Sequence, residues 1–322
     1  MGNILITGGT GFVGSHMVDY ILKYAIKPDQ KVYCTKRWME DTKNLDHINH
    51  DSFEYIDCDL LDGMSVKRVV EISKPEKVFH FAAQSFPEVS FKIPVITLQT
   101  NIIGTTHLLE SIKESDYDPT IVSVSSSEVY GNPNEDEIPI TETNPIRPAN
   151  PYSISKVGHD LMSQYYHKAY GMKIITTRMF SHEGARRGKQ FALSSFAYQI
   201  AKNEKLKGDG VVKHGNLDSV RTYNHIEDAI QAYWLCSNSD KYGEVYNIGG
   251  DYTCTVGEAL DMLISKSTNN HTKELDPERV RPTDITLQIP SSEKFRNDFG
   301  WRPRKSLTHI CDDLLDYWRK NI

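Results

Sequence analysis

The stretch Gly2-Asn3-Ile4-Leu5-Ile6-Thr7-Gly8-Gly9-Thr10-Gly11-Phe12-Val13-Gly14 passes from a short apolar run, through a glycine cluster, into a helical pattern. An apolar run ended by glycines suits a strand buried on both faces. Val13, Met17, Ile21 and Ala25 then recur at helical spacing. Small residues at Gly8, Thr10, Gly11 and Gly14 let the backbone approach a pyrophosphate, whose charge the helix start at Phe12 and Val13 would meet. A glycine cluster can also be a plain turn. Its place at the head of a strand–turn–helix unit favours dinucleotide binding.

Outward from there, strands are expected at 31–35, 53–56, 77–81, 120–124, 173–177 and 245–248. Helical patterns cover 66–72, about 95–112, 152 to about 169, and 226–235. This alternation predicts an α/β fold, a doubly wound parallel sheet with right-handed crossovers. Residues 1–180, with returning segments at about 223–250, are expected to form the dinucleotide-binding domain; 181–222 and 251–322 form a smaller, interleaved substrate-binding lobe. The proline-, asparagine- and acid-rich stretch between Gly131 and Pro151 cannot be a regular element, and ordered loops of this length are often functional.

A net charge of −6 argues against nucleic acid or an anionic membrane as the main partner, while local basic clusters can still hold an anionic small molecule. The five cysteines (Cys34, Cys58, Cys236, Cys254, Cys311) are odd in number and scattered, with no C-x-x-C spacing. They read as reduced thiols of a cytoplasmic protein, with no disulfide framework and no metal site. No basic-then-apolar leader and no apolar stretch of membrane-span length is seen.

The chemistry is carried by Tyr152-Ser153-Ile154-Ser155-Lys156 and by Ser125-Ser126-Ser127-Glu128-Val129-Tyr130-Gly131. Four residues apart on a helix, Tyr152 and Lys156 share one face. An ammonium beneath a phenol favours the phenolate, which can take the proton of an alcohol while a nicotinamide takes the hydride. The Ser126 hydroxyl is able to donate to the same substrate oxygen, although any serine-rich strand end carries hydroxyls. Glu128 is a second base, needed only if something beyond alcohol oxidation happens.

Around this pair several residues have two readings. Arg37, ending Cys34-Thr35-Lys36-Arg37, suits a ribose 2′-phosphate and so NADP; otherwise it belongs to a solvated turn. Asp59 either meets the adenine edge or caps the next helix. In Phe81-Ala82-Ala83-Gln84-Ser85, small residues let the nicotinamide ribose lie close with Ser85 facing the sugar, or simply make a turn. Arg221 and Arg281 suit bidentate phosphate contacts or surface ion pairs. His182 reads as a satisfied, partly buried histidine, and the usual fate of Arg186-Arg187 is a solvated loop.

Taken together, Gly8-x-x-Gly11-x-x-Gly14, Ser126-Ser127-Glu128 and Tyr152-x-x-x-Lys156 resemble an extended short-chain dehydrogenase/reductase. Within that superfamily the chain is similar, over nearly its whole length, to the GDP-mannose 4,6-dehydratases and the related GDP-4-keto-6-deoxymannose reductases. The more specific matches are Lys36-Arg37, Ala82-Ala83-Gln84-Ser85, Ala185-Arg186-Arg187-Gly188, Gly215-Asn216-Leu217-Asp218 with Arg221, and Arg281-Pro282-Thr283-Asp284.

The resemblance implies a Rossmann sheet holding NADP through Gly8, Thr10, Gly11, Phe12, Val13, Gly14, Arg37, Asp59, Leu60, Ala82, Ala83, Tyr152, Lys156 and Arg187. It implies catalysis by Ser126, Glu128, Tyr152 and Lys156. Sugar-nucleotide contacts are implied from Ser85, Ser127 and Ser181, diphosphate contacts from Arg221 and Arg281, and a ribose contact from Asp284. In that family the double-arginine loop reaches a neighbouring subunit's cofactor, and helices matching 95–112 and 151–169 make a dimer, so a homodimer or homotetramer is implied.

The chain departs from the family in three ways. Ser181 stands where asparagine is common, Thr222 where an aspartate often follows the arginine, and the chain is shorter than many such dehydratases. The expected function is a nucleotide-sugar 4,6-dehydratase on GDP-mannose or a close GDP-sugar, through transient oxidation at C4. A 4-keto-reductase or 4-epimerase on the same scaffold needs Tyr152 and Lys156 but no base at C5. An NADP-sensing scaffold could dispense with both.

Overall fold

The computed structural model describes residues 2–280 and 283–322, so Arg281 lies outside the described residues. The backbone divides into two compact units: Met1–Val129, Asn150–Met179 and Ile230–Tyr246 form the first, and Tyr130–Ala149, Phe180–Ala229 and Asn247–Ile322 the second.

The apolar run that opens the chain becomes β1 (Asn3–Thr7), with Ile4, Leu5 and Ile6 fully buried. A strand with no exposed face belongs at the centre of a sheet covered on both sides. β1 lies between β2 (Val32–Lys36) and β4 (Pro75–His80), with β3 (Phe53–Asp57) beyond β2. β5 (Thr120–Val124), β6 (Ile174–Met179) and the edge strand Val245–Ile248 follow beyond β4. The pairings from β3 through β6 are all parallel. Strand order therefore reverses between β1 and β4, and the crevice at their carboxyl ends is where such sheets bind ligands. This is the doubly wound α/β sheet read from the sequence.

The helices of the first unit include α1 (Phe12–Tyr20), α2 (Gly63–Ser73), α3 (Pro87–Lys92), α4 (Pro94–Leu98), α5 (Gly104–Lys113) and α6 (Pro151–Tyr170), and most of the helix Ile226–Ser237 also falls in it. α2 starts ahead of its apolar pattern because the Asp62 carboxylate accepts from the Met64 N–H at 3.1 Å and caps it. The expected helix at 95–112 is α4 and α5 joined through a π-turn, Gln99–Ile103. Leu5, Val66, Val70, Leu108, Ile121 and Ile174 belong to one core cluster beneath these helices.

The second unit is built from short strands and three longer helices. Val220–Thr222 pairs antiparallel with Thr253–Thr255 and parallel with Leu287–Gln288. Ala192–Lys205, Val256–Ser265 and Leu307–Lys320 enclose a core that includes Phe196, Leu260, Leu263, Ile310 and Leu314. Residues 130–149 run with this unit and are ordered by side chains: Arg147 Nη1 and Nη2 donate to both oxygens of Glu137 at 2.6 and 2.8 Å. Among the described residues no helix is long and apolar enough to cross a membrane, and no histidine, cysteine and carboxylate cluster is placed to hold a metal.

Candidate active site

The chemistry-bearing residues of the first unit meet where β5 ends and α6 begins. After β5 the chain bends through Ser125 and Ser126 into a single 3-10 turn, Ser127–Tyr130. The Glu128 N–H donates to Ser126 Oγ at 3.2 Å, which fixes the turn and leaves Glu128 half-buried. α6 starts with Asn150 as its N-cap and Pro151 at its first position. Asn150 Nδ2 donates to Glu128 Oε2 at 2.9 Å. A carboxylate on the β5 turn is thereby joined to the first turn of the helix carrying Tyr152 and Lys156. Ser126 and Ser127 are buried beside it.

Tyr152 is half-buried, its N–H donating to Ser90 Oγ at 3.1 Å. Lys156 is only 4% exposed, and Nζ donates to the Val124 carbonyl at 2.5 Å. Burial pulls its ammonium down to about 7, with the Asp160 charge acting in the opposite direction. Asp160 is itself paired with Arg178, whose Nε and Nη2 reach its oxygens at 2.9 and 3.1 Å.

Behind Lys156 lies a buried chain of polar side chains that no motif pointed to. Thr7 Oγ1, His80, Thr105 Oγ1, His159 and Ser123 Oγ follow one another at 2.7, 2.9, 3.0 and 2.8 Å. The two imidazoles stack with centroids 5.3 Å apart. Burial, then the Lys156 charge, holds His80 down at about 3 and His159 well below the usual range, so both rings stay neutral. The available signal was a histidine among the apolar residues of the strand 77–81, and another one turn beyond Lys156. Asn101, inside the π-turn, was also missed. Its Oδ1 accepts from the Gln84 N–H at 2.8 Å, and its Nδ2 donates to Ser155 Oγ at 2.8 Å. Single π-turns inside helices recur at functional sites for this kind of reason.

The glycine turn fits a dinucleotide. At Gly8 φ is +68°, and a Cβ there would stand 2.8 Å from the Ala82 backbone. At Gly14 a Cβ would stand 2.4 Å from the Gly8 carbonyl oxygen. Gly11 caps α1 and makes no side-chain cap hydrogen bond there. The turns after β1 and β4 thus approach each other at the switch point, with Ala82 beside Gly8, Ala83 half-buried and Ser85 exposed.

At the far end of β2, Arg37 is exposed, and its Nε lies 3.6 Å from Glu40. It lines a depression with Glu40, Asp59, Asp62, Lys67 and Arg68. Asp59 closes its own turn by accepting from the Leu61 N–H at 2.9 Å, while Asp62 takes the helix cap. Leu60 is buried.

In the second unit, Asp284 Oδ2 accepts from Asn216 Nδ2 at 3.0 Å and Ser219 Oγ at 2.9 Å, and its Oδ1 lies 4.0 Å from Arg221 Nη2. Arg221 also donates to the Val220 and Ile285 carbonyls. Ser181 offers its carbonyl to the Asn224 N–H at 2.8 Å. The Arg187 guanidinium stacks 3.4 Å over Phe191 and lies 3.6 Å from Glu183, itself buried. His182 Nδ1 lies 3.0 Å from the Phe180 carbonyl oxygen, and burial holds the ring down at about 3.

Burial pushes Glu183 up to about 7, against the Arg187 charge. The folded protein then binds the extra proton between about pH 4.5 and 7, so this group's stabilising contribution is complete below 4.5 and is lost as pH rises through 7. Glu183→Gln should therefore flatten the decline in thermal midpoint between pH 5 and 8; an unchanged pH profile would show that Glu183 is not the source.

The family described as GDP-mannose 4,6 dehydratase matches residues 5–314 of this chain. A dTDP-D-glucose 4,6-dehydratase of Homo sapiens is 29% identical, over 99% of this chain and 90% of that protein. A GDP-mannose 4,6-dehydratase of Yersinia enterocolitica is 27% identical, over 98% of this chain and 93% of that protein. Among solved structures, a dTDP-glucose 4,6-dehydratase from Streptomyces venezuelae with NAD bound superposes with a TM-score of 0.85 at 25% identity, covering 99% of this chain and 97% of that one.

Proposed function

We propose, for a chain that belongs to the GDP-mannose 4,6 dehydratase family, that it is an NADP-dependent 4,6-dehydratase acting on GDP-mannose or a close GDP-sugar. The observation that carries this reading is the 2.9 Å hydrogen bond joining Glu128 to the cap of the Tyr152 helix. A reductase or epimerase has no step for a carboxylate held there.

Tyr152, assisted by the Ser126 hydroxyl and by Lys156, takes the proton from the sugar's O4. A nicotinamide held by the Gly8–Gly14 turn and Ala82 would supply a reversible hydride acceptor, for C4 at the start and for C6 at the end. A ketone at C4 acidifies the C5 hydrogen. Glu128 then removes that proton and passes it to the C6 hydroxyl, which leaves as water, and a proton from Glu128 or solvent returns to C5 as hydride adds at C6. Ser85, Ser127, Ser181, Arg221, Arg281 and Asp284 are assigned to the sugar nucleotide, whose remote contacts supply positioning energy. The Gly8–Gly14 turn, Asp59, Leu60, Ala82 and Ala83 are assigned to the dinucleotide, with Arg187 as a further contact.

The choice of NADP rests on Arg37. Arg37→Ala should weaken NADP⁺ binding by about ten- to a hundredfold, the loss of one charge-assisted contact, while leaving NAD⁺ nearly unchanged. Equal losses for both, in a fluorescence titration, would remove Arg37 as the selector.

A homodimer is supported by one apolar face: Val95, Ile96, Ile103, Ile154, Leu161 and Tyr165, on α4, the π-turn and α6, are 46–62% exposed. The five cysteines are all buried and unpaired, which supports a cytoplasmic location.

The decisive experiment supplies GDP-mannose, and separately dTDP-glucose, with NADP⁺ and no reductant, and follows product mass. Loss of one water from the GDP-sugar supports the proposal. Loss from dTDP-glucose alone keeps the reaction and moves the substrate. No water loss from either, with NADPH consumed on a 4-keto sugar, replaces the reading by the reductase.

A further inference from the structure

We propose that Asn150 is a positioning residue for the base: its carboxamide ties Glu128 to the cap of the catalytic helix and so holds the carboxylate in place. The inference rests on Glu128 being the general base of the proposed dehydration.

Asn150 is 7% exposed and bonded at every polar atom of its side chain. Oδ1 accepts from the Ser153 N–H at 2.8 Å, and the backbone N–H donates to Ser153 Oγ at 2.9 Å, a reciprocal capping box. The Ser153 N–H can only donate, which fixes the amide with its oxygen toward the helix and Nδ2 toward Glu128 Oε2 at 2.9 Å. Pro151 follows directly, its ring fixing the backbone at the first helical position.

A helix cap needs only an acceptor. Serine, threonine and aspartate serve as well as asparagine. Asparagine alone among good caps adds a second, donating group on a side chain of that length. Here that group meets a carboxylate. A bond of that kind holds the carboxylate to one orientation, as the positioning of a general base requires. The bond also has a topological role: the chain leaves the first unit after Val129 and returns to it at Asn150. Glu128 and Asn150 therefore stand at the exit and re-entry points, and their bond fixes one against the other.

The test separates the cap from the donor. Asn150→Ser keeps a capping oxygen but is too short to reach Glu128 and adds no charge beside it; Asn150→Ala removes both cap and donor. The thermal midpoint should be near wild type for Ser and lower for Ala. Water loss, and exchange of the C5 hydrogen with solvent deuterium, should fall about ten- to a hundredfold in both variants, the effect of one charge-assisted hydrogen bond. Oxidation at C4, which uses Tyr152 and Lys156, should change little. If Asn150→Ser retains water loss together with stability, Asn150 is only a cap and the proposal is wrong. If the wild-type protein oxidises C4 yet never exchanges C5 or releases water, the reading of Glu128 itself fails and takes the proposal with it.

Discussion

Glu128→Gln is expected to slow water loss by about a hundred- to ten-thousandfold, the range a positioned general base contributes, while leaving C4 oxidation within a few-fold of wild type. Glutamine has the shape of glutamate, and its carbonyl can still accept from Asn150 Nδ2 in place of Glu128 Oε2. The β5 turn keeps the backbone bond to Ser126 Oγ. Folding should therefore be intact, and only the proton-accepting oxygen is lost. Single-turnover product analysis in deuterated water reads both halves: a 4-keto hexose that retains its C6 hydroxyl should accumulate with its C5 hydrogen unexchanged. Dehydration at the wild-type rate would remove Glu128 from the base's role, and a different group would have to be found near α6. Loss of both halves would instead mean that the substitution disturbed Tyr152.

The parts of this site that are legible in the sequence are those fixed by local pattern. The run Ile4-Leu5-Ile6 announces a strand with no exposed face, and it is the sheet's centre. Tyr152 and Lys156 fall on one helix, and the alternation of elements yields the parallel order. What escapes notice needs partners distant in the chain. His80 and His159 are ordinary residues until β4 and α6 bring their rings to 5.3 Å. Asn101 gains its role only because a π-turn interrupts the helix at 95–112, an insertion set by packing and not by propensity. Asp59 and Asp62 are equally good caps by composition, and turn geometry alone decides that Asp62 holds α2. Much of the second unit is built from strands of two or three residues, such as His182–Glu183 and Leu287–Gln288, too short to show any period.

Lys156→Met should move activity and stability in opposite directions. The side chain is 4% exposed, and burial pulls its ammonium from 10.5 to about 7. Between those values the unfolded chain binds the proton that the folded chain has released, so stability rises with pH across the window and the burden is greatest, and constant, below about 7. Methionine fills a similar volume with no charge to desolvate. Its cost is the bond to the Val124 carbonyl, now 2.5 Å from Nζ. The expected net gain is roughly 2–4 kcal/mol at pH 7, shrinking as pH approaches 10. Catalysis should fall by about a hundred- to ten-thousandfold, because the Tyr152 phenol loses the neighbouring charge that favours its ionised form. Thermal melts from pH 6 to 10, run beside turnover assays, read both effects. A methionine variant that melts below wild type at every pH would mean that the ammonium, through Val124 and Asp160, stabilises the fold on balance. The conflict between a site that needs a buried cation and a core that resists one would then be absent. If the midpoint rises as expected while turnover collapses, Lys156 is a residue the fold tolerates for the sake of the phenol four positions before it.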